Sequence, residues 1–274
     1  MNMIPKILVF DSGAGGLSVA KEIVKKGYSC ELIYAADNRF FPYGTKSDTV
    51  LTSRIIEQLG LHINEFNPDV AVVACNTAST LALDSLRRDF DCPFVGVVPA
   101  VKPAASLTIS GTIGMLATPA TVDRDYTRAL ISQFASQHKI LLHGSNRLVE
   151  LAEGYLAKGR LDYVALELEL MHLLNQTDGH EIDTIVLACT HFPLLKLPMS
   201  EILLRKRLSI QWVDSGEAVA RRVFDLLFDE PARTHKTEIK LNPITTSLCT
   251  FKFLFSSEEE KEDLTERYYH YLIS

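Results

Sequence analysis

Two cysteines sit in the same local setting. Asp69-Val-Ala-Val-Val-Ala-Cys75-Asn-Thr77 reappears later as Asp183-Thr-Ile-Val-Leu-Ala-Cys189-Thr-His191. Each copy is an apolar, β-branched run of strand length that ends on a thiol and then turns polar, the pattern of a buried strand delivering a sulfur to its carboxyl end. A thiol where a strand hands over to a helix faces free N–H groups and the positive end of the helix dipole, which favour thiolate and suit proton transfer near neutrality. One such cysteine is as readily a packing residue. Two in matching places point to acid–base chemistry from two sides. Cys30, Cys92 and Cys249 lack this company and read as packing or surface residues.

Other polar groups gather at the same kind of position. Asp11-Ser12 follows the first apolar run, Asp37 the second, and Thr118 a later one, while His191 stands two residues beyond Cys189. In open α/β sheets the carboxyl ends of the strands form the ligand crevice, so these residues are expected to line one edge of each half. The loop Asp11-Ser-Gly13-Ala-Gly15-Gly16 misses the spacing of a dinucleotide fingerprint, and no phosphate-loop motif occurs; a tight turn and an anion site are equally good readings of it. Tyr43-Gly44, in the turn-rich Phe40–Ser47 segment, offers a hydroxyl and an amide to a carboxylate, or else a surface tyrosine beside a proline turn. Glu153, on a helix-like stretch, would on pattern alone be a solvated residue.

The elements that must position these groups alternate. Strand-like runs at Ile7–Phe10, Glu31–Ala36, Val70–Ala74, Phe94–Val98, Ile113–Ala117, Ile140–His143, Thr184–Ala188 and Ile210–Val213 are separated mostly by amphipathic, helix-like stretches. A single (β/α)₈ barrel suits the length. The internal repeat, with Ile7–Ser12 resembling Ile113–Thr118, favours instead two similar α/β domains with mainly parallel sheets, facing each other across a central cleft. The expected division is 1–98 with 208–274, carrying Asp11 and Cys75, and 99–207, carrying Glu153 and Cys189. Pro99 and Pro103 mark one crossing, and a return near Ser209 would bring the last strand and helix back to the first domain. The tail from Arg233 is less regular, with the charged run Glu258–Asp263 read as a solvated helical face or loop.

Composition narrows the functional classes. The 274 residues are 47% hydrophobic and 23% charged, enough for one large or two modest cores. With 28 Lys+Arg against 34 Asp+Glu, the net charge of −6 argues against general nucleic-acid binding. No apolar run has signal-peptide or membrane-spanning character, so a cytoplasmic protein is expected. Five scattered cysteines without a Cys-x-x-Cys pair favour neither a disulfide framework nor a metal site.

Taken together, Phe10-Asp-Ser-Gly-Ala-Gly-Gly-Leu-Ser-Val19, Pro42-Tyr-Gly-Thr-Lys-Ser47, Ala74-Cys-Asn-Thr-Ala78 and Ala188-Cys-Thr-His191 make the chain resemble bacterial glutamate racemases, cofactor-independent enzymes of the aspartate/glutamate racemase superfamily. The resemblance runs from Ile7 to the carboxyl-terminal helix. It implies interconversion of L- and D-glutamate, supplying D-glutamate for peptidoglycan, with no cofactor and no metal. Cys75 and Cys189 match the catalytic cysteines, Asp11 the acidic partner of the first, His191 the histidine near the second, and Glu153 an assisting glutamate. Asp11-Ser12, Tyr43-Gly44, Asn76-Thr77 and Thr190-His191 match substrate-binding pairs, with Thr118 an additional contact. Asp11 is expected to neutralise the substrate ammonium, since an anion beside Cys75 opposes its ionisation.

A homodimer is expected, as is common in such enzymes. Ala188, Ser145 and Asn146 depart from residues common in the family. Because the chain starts close to its first strand, where some activator-dependent members carry an amino-terminal extension, regulation by a peptidoglycan precursor is not expected. The alternatives are racemisation of aspartate, a Cys189–His191 hydrolase, and an interaction protein, since some glutamate racemases are reported to restrain DNA gyrase.

Overall fold

The protein is described by a computed structural model covering residues 4–228, 249–259 and 261–274. The chain forms two compact units, 1–97 with 216–274 and 98–215.

The first unit begins with β1 (Lys6–Asp11), α1 (Leu17–Lys25), β2 (Glu31–Ala36), α2 (Asp48–Phe66), β3 (Val70–Val73), α3 (Asn76–Asp89) and β4 (Phe94–Gly96). The second holds α4 (Val101–Leu107), β5 (Thr112–Ala117), α5 (Pro119–Val122), α6 (Asp125–Phe134), β6 (Lys139–Gly144), α7 (Arg147–Lys158), α8 (Tyr163–Leu174), β7 (Thr184–Leu187), α9 (Lys196–Arg205) and β8 (Gln211–Val213). The chain then returns to the first unit with α10 (Gly216–Phe228), β9 (Thr250–Phe255) and α11 (Lys261–Ile273).

The strand orders are β4-β3-β1-β2-β9 and β6-β5-β7-β8, and every neighbouring pair is parallel. Read from β4 and from β8, the first four strands of the two sheets follow one order, so β1 corresponds to β5 and β3 to β7. Parallel strands covered on both faces need continuous apolar sequence. Accordingly Ile7–Phe10, Val70–Val73 and Thr184–Leu187 are wholly buried. The repeated aspartates fasten the strand starts: Asp69 Oδ2 accepts the Lys6 N–H at 2.8 Å, and Asp183 Oδ2 accepts the Ile109 and Ser110 N–H groups at 2.7 Å. Each unit has its own core, one around Leu8, Phe10, Ile33, Val73 and Leu86, the other around Ile113, Met115, Val186 and Val213. Two open sheets replace the barrel alternative.

Two expectations change. β8 does not rejoin the first unit; it pairs with β7 through Val186 opposite Val213, and the crossing comes after Ser215. The tail from Arg233 is more regular than its sequence suggests. Residues 233–248 and 260 lie outside the described ones, but β9 extends the first sheet against β2, and α11 buries Tyr268 edge-on against Tyr34. No helix among the described residues is long and apolar enough to cross a membrane.

Candidate active site

In each sheet the chain leaves β1 or β5 for a neighbour on one side and then crosses to β3 or β7 on the other. This switch point opens a crevice beyond the carboxyl ends of the central strands. Ala74 N–H donates to the Phe10 carbonyl and Ala188 N–H to the Leu116 carbonyl, both at 2.8 Å, so Cys75 and Cys189 emerge at equivalent places.

In the first unit Cys75 is the residue before α3, with extended backbone, and its carbonyl accepts the Ser79 N–H at 2.8 Å. The thiol therefore sits at a true α-helix amino terminus, where the orphan N–H groups concentrate positive charge. Cys75, Asn76 and Thr77 are buried, and Asn76 Oδ1 has no hydrogen-bond partner. Asp11, fully buried at the end of β1, accepts from the Ser12 main-chain N–H and from its hydroxyl. A Cβ on Gly16 would lie 2.9 Å from Asp11 Cβ and 3.1 Å from Ala74 Cβ, so glycine lets α1 close against both strand ends. Close packing thus accounts for Gly16 in the glycine-rich loop.

Tyr43 is buried rather than at the surface, and its hydroxyl donates to Asp37 Oδ2 at 2.9 Å. Arg54 grips the same carboxylate through Nε and Nη2 at 3.0 and 2.8 Å. Burial pushes the Asp37 carboxyl up, but hydrogen bonds from Arg54, Ser256 and Tyr43 outweigh it and hold the group below its usual range. Burial first, then Asp37, Cys75 and Asp11, push the Tyr43 hydroxyl far above its ordinary value. Tyr43, Cys75 and Asp11 are therefore electrostatic neighbours. Because the one hydroxyl proton of Tyr43 is committed to Asp37, its side chain has no proton left for a substrate carboxylate. Arg54 carried no local signal: it lies on α2, 17 residues beyond the Asp37 it binds.

In the second unit Cys189 is not followed directly by an α-helix. A 3₁₀ turn, Phe192–Leu195, with Pro193 inside it, separates Cys189 from α9. The helix-dipole argument made for both cysteines therefore applies to Cys75 alone. A charged side-chain relay stands in its place. His191 Nδ1 lies 3.8 Å from Cys189 Sγ, and its Nε2 lies 2.7 Å from Glu153 Oε1. Glu153, on α7, is therefore not the solvated residue its pattern suggested. Burial alone would lower the His191 pKa, but hydrogen bonds with Cys189 and Glu153, reinforced by their charges, raise it well above 6.5. The buried imidazole is held between sulfur and carboxylate.

Thr118 begins α5, its Oγ1 accepting the Thr121 N–H at 3.3 Å and lying 2.9 Å from Thr121 Oγ1. Thr190 is buried beside Cys189. The expected residues fall into two groups: Asp11, Ser12, Tyr43, Gly44, Cys75, Asn76 and Thr77 in the first unit, and Thr118, Glu153, Cys189, Thr190 and His191 in the second.

Comparison with known proteins is consistent across sequence and structure. Residues 18–223 match the model of the Asp/Glu/hydantoin racemase family. The chain is 46% identical over 239 residues to the glutamate racemase of Salmonella typhimurium, covering 86% of this chain and 82% of that one. It is 43% identical over 236 residues to the glutamate racemase of Brucella canis, covering 85% and 82%. The structure of Escherichia coli glutamate racemase in complex with L-glutamate and the activator UDP-MurNAc-ala superposes with a TM-score of 0.84 at 40% identity, over 98% of this chain and 96% of that one.

Proposed function

The chain belongs to the Asp/Glu/hydantoin racemase family and is an amino-acid racemase, and on that premise we propose that it interconverts L- and D-glutamate by two-base proton transfer between Cys75 and Cys189. The observation that carries this reading is the equivalence of the two thiols, each beyond the carboxyl end of a corresponding strand in sheets of one strand order. Inverting a stereocentre requires that one group remove the α-proton from one face while another returns a proton to the opposite face. In one direction Cys75 is the thiolate and Cys189 the thiol, and in the other the states exchange. The net result moves one proton on and one off, so no external reductant or oxidant is consumed.

The surrounding groups supply the electrostatics. Asp11 neutralises the substrate ammonium. The main-chain amides of Tyr43 and Gly44, with Ser12, Asn76, Thr77, Thr118 and Thr190, hold the two carboxylates and stabilise the carbanion as charge develops. His191 offers Cys189 a cation, and Glu153 keeps that cation charged and oriented. The same reading makes the protein a cytoplasmic homodimer that supplies D-glutamate for peptidoglycan. A Cys189–His191 hydrolase would leave Cys75 without a role.

The test is incubation of each enantiomer of glutamate with enzyme in D₂O. Deuterium is expected at the α-carbon of the inverted product, and Cys75→Ser and Cys189→Ser are each expected to lower inversion by about 10²–10⁴-fold. Normal racemisation by either variant refutes the two-thiol assignment, and inversion of aspartate in preference to glutamate refutes the substrate.

A further inference from the structure

Cys30 lies just before β2 and Cys249 just before β9, and the parallel register that sets Glu31 opposite Thr250 sets these cysteines opposite each other. Their sulfurs are 3.1 Å apart, and the Thr250 N–H donates to the Cys30 carbonyl at 3.0 Å. Cys249 Sγ also lies 3.3 Å from the Tyr28 carbonyl oxygen. Both are thiols in this structure. Neighbouring strands stand about 4.8 Å apart, inside the Cα separation a disulfide tolerates. Reaching a bonded sulfur separation of about 2.05 Å therefore needs side-chain rotation and no change of register.

The two thiols are unequal. Cys30 is fully buried and Cys249 half-buried. The hydrogen bond with Cys249, then burial, push the Cys30 thiol far above its ordinary range. Cys249 is thus the sulfur that meets a solute, and Cys30 is the one that waits behind it.

We propose that Cys30 and Cys249 are a redox modification site, closing to an intramolecular disulfide when the protein meets a hydroperoxide. The Cys249 thiolate attacks one peroxide oxygen, the O–O bond breaks, and hydroxide leaves, to be protonated to water; Cys249 becomes a sulfenic acid. The Cys30 sulfur then attacks Cys249, the S–O bond breaks, and the oxygen leaves with the Cys30 proton as a second water. Two thiols are oxidised by two electrons and one hydrogen peroxide is reduced to two waters.

The bond would fasten β9 to β2 at their first residues. β9 leads to α11, whose Tyr268 packs against Tyr34, Phe253 and Phe255. The Tyr34 hydroxyl in turn donates to the Gly13 carbonyl at 2.7 Å, in the loop after Asp11. The oxidised pair would therefore secure the segment that backs the proposed site residues of the first unit without consuming either proposed acid–base thiol.

The experiment is peptide mapping of the full chain under non-reducing conditions, after brief hydrogen peroxide and alkylation of remaining thiols. A linked Cys30–Cys249 peptide is expected, lighter by about 2 Da than its two parts and separated by dithiothreitol, as a disulfide must be. The oxidised chain should unfold roughly 5–10 °C higher than the reduced one, and Cys249→Ser should abolish that difference. Mapping of the unmutated chain decides the matter even if that variant folds poorly. Recovery of Cys30 and Cys249 as separate alkylated or over-oxidised peptides, or of either joined to Cys75, Cys92 or Cys189, overturns the proposal.

Discussion

Cys75 and Cys189 leave corresponding strands, yet the two units surround them with different charges. The first sets its sulfur at the start of a full α-helix, with a buried carboxylate, Asp11, at the end of the next strand. The second has Ala117 where the first has Asp11, and a 3₁₀ turn where the first has a helix. Its carboxylate, Glu153, comes from α7 and contacts His191. One thiol therefore stands at a helix terminus, the other beside the buried imidazole of His191. A duplicated framework fixes where the sulfurs go; the unduplicated residues decide what surrounds each. Under the proposed two-base reading, this asymmetry gives the two thiols different electrostatic settings.

The sharpest way to break the comparison is to remove each sulfur. Cys75→Ser and Cys189→Ser should each lower inversion by about 10²–10⁴-fold, the range expected for loss of a positioned acid or base. Wash-in of solvent deuterium without inversion would mark the face that the remaining thiol serves, whereas inversion at the normal rate in either variant would show that the two thiols are not both required.

Next comes the cation. His191→Asn should cost about 10²-fold in kcat, most strongly in the direction where Cys189 accepts the substrate proton, measured from initial rates with each enantiomer. Equal losses in both directions would argue against His191 serving Cys189 specifically. Glu153→Gln should be milder, about tenfold, and should bring the imidazole titration of His191 down toward 6.5 by NMR. The wild-type His191 pKa is raised, so its contribution to stability is present below 6.5 and fades as pH rises through the folded value; the variant should lose that dependence.

The smallest effects concern the framework. Asp183→Asn should destabilise the second unit by about 1–3 kcal/mol, read from denaturant unfolding, because the carboxylate accepts from Thr108, Ile109 and Ser110. Burial would raise its pKa, but those hydrogen bonds hold it at about 2 against the usual 3.8. Its support is thus complete above pH 3.8 and declines as pH falls from there through about 2, a loss the variant should not show.

The sequence was most legible where one rule acted alone. The apolar runs ending at Cys75 and Cys189 located β3 and β7 to within a residue, because strands buried on both faces admit little else. β9 escaped: Thr250–Phe255 is a half-buried edge strand whose pairing with β2 depends on residues far earlier in the chain. The contact of Cys30 with Cys249 was hidden for the same reason. Glu153 read as solvated because helical periodicity reports burial of a face, not an ion pair to a turn elsewhere in the fold. Cys189 read as standing before a helix because its strand repeats the pattern that ends at Cys75, and Pro193 gave no contrary signal, being compatible with a first helical turn. In this chain it sits inside a 3₁₀ turn instead.

The second unit also begins and ends on the same spot, with the Ser215 hydroxyl donating to the Val98 carbonyl. Its entry and exit are thus neighbours, as in a domain spliced into a surface loop of its host. A fragment of residues 98–215 carries a complete sheet and core with abutting ends, making it a natural candidate for autonomous expression and circular permutation.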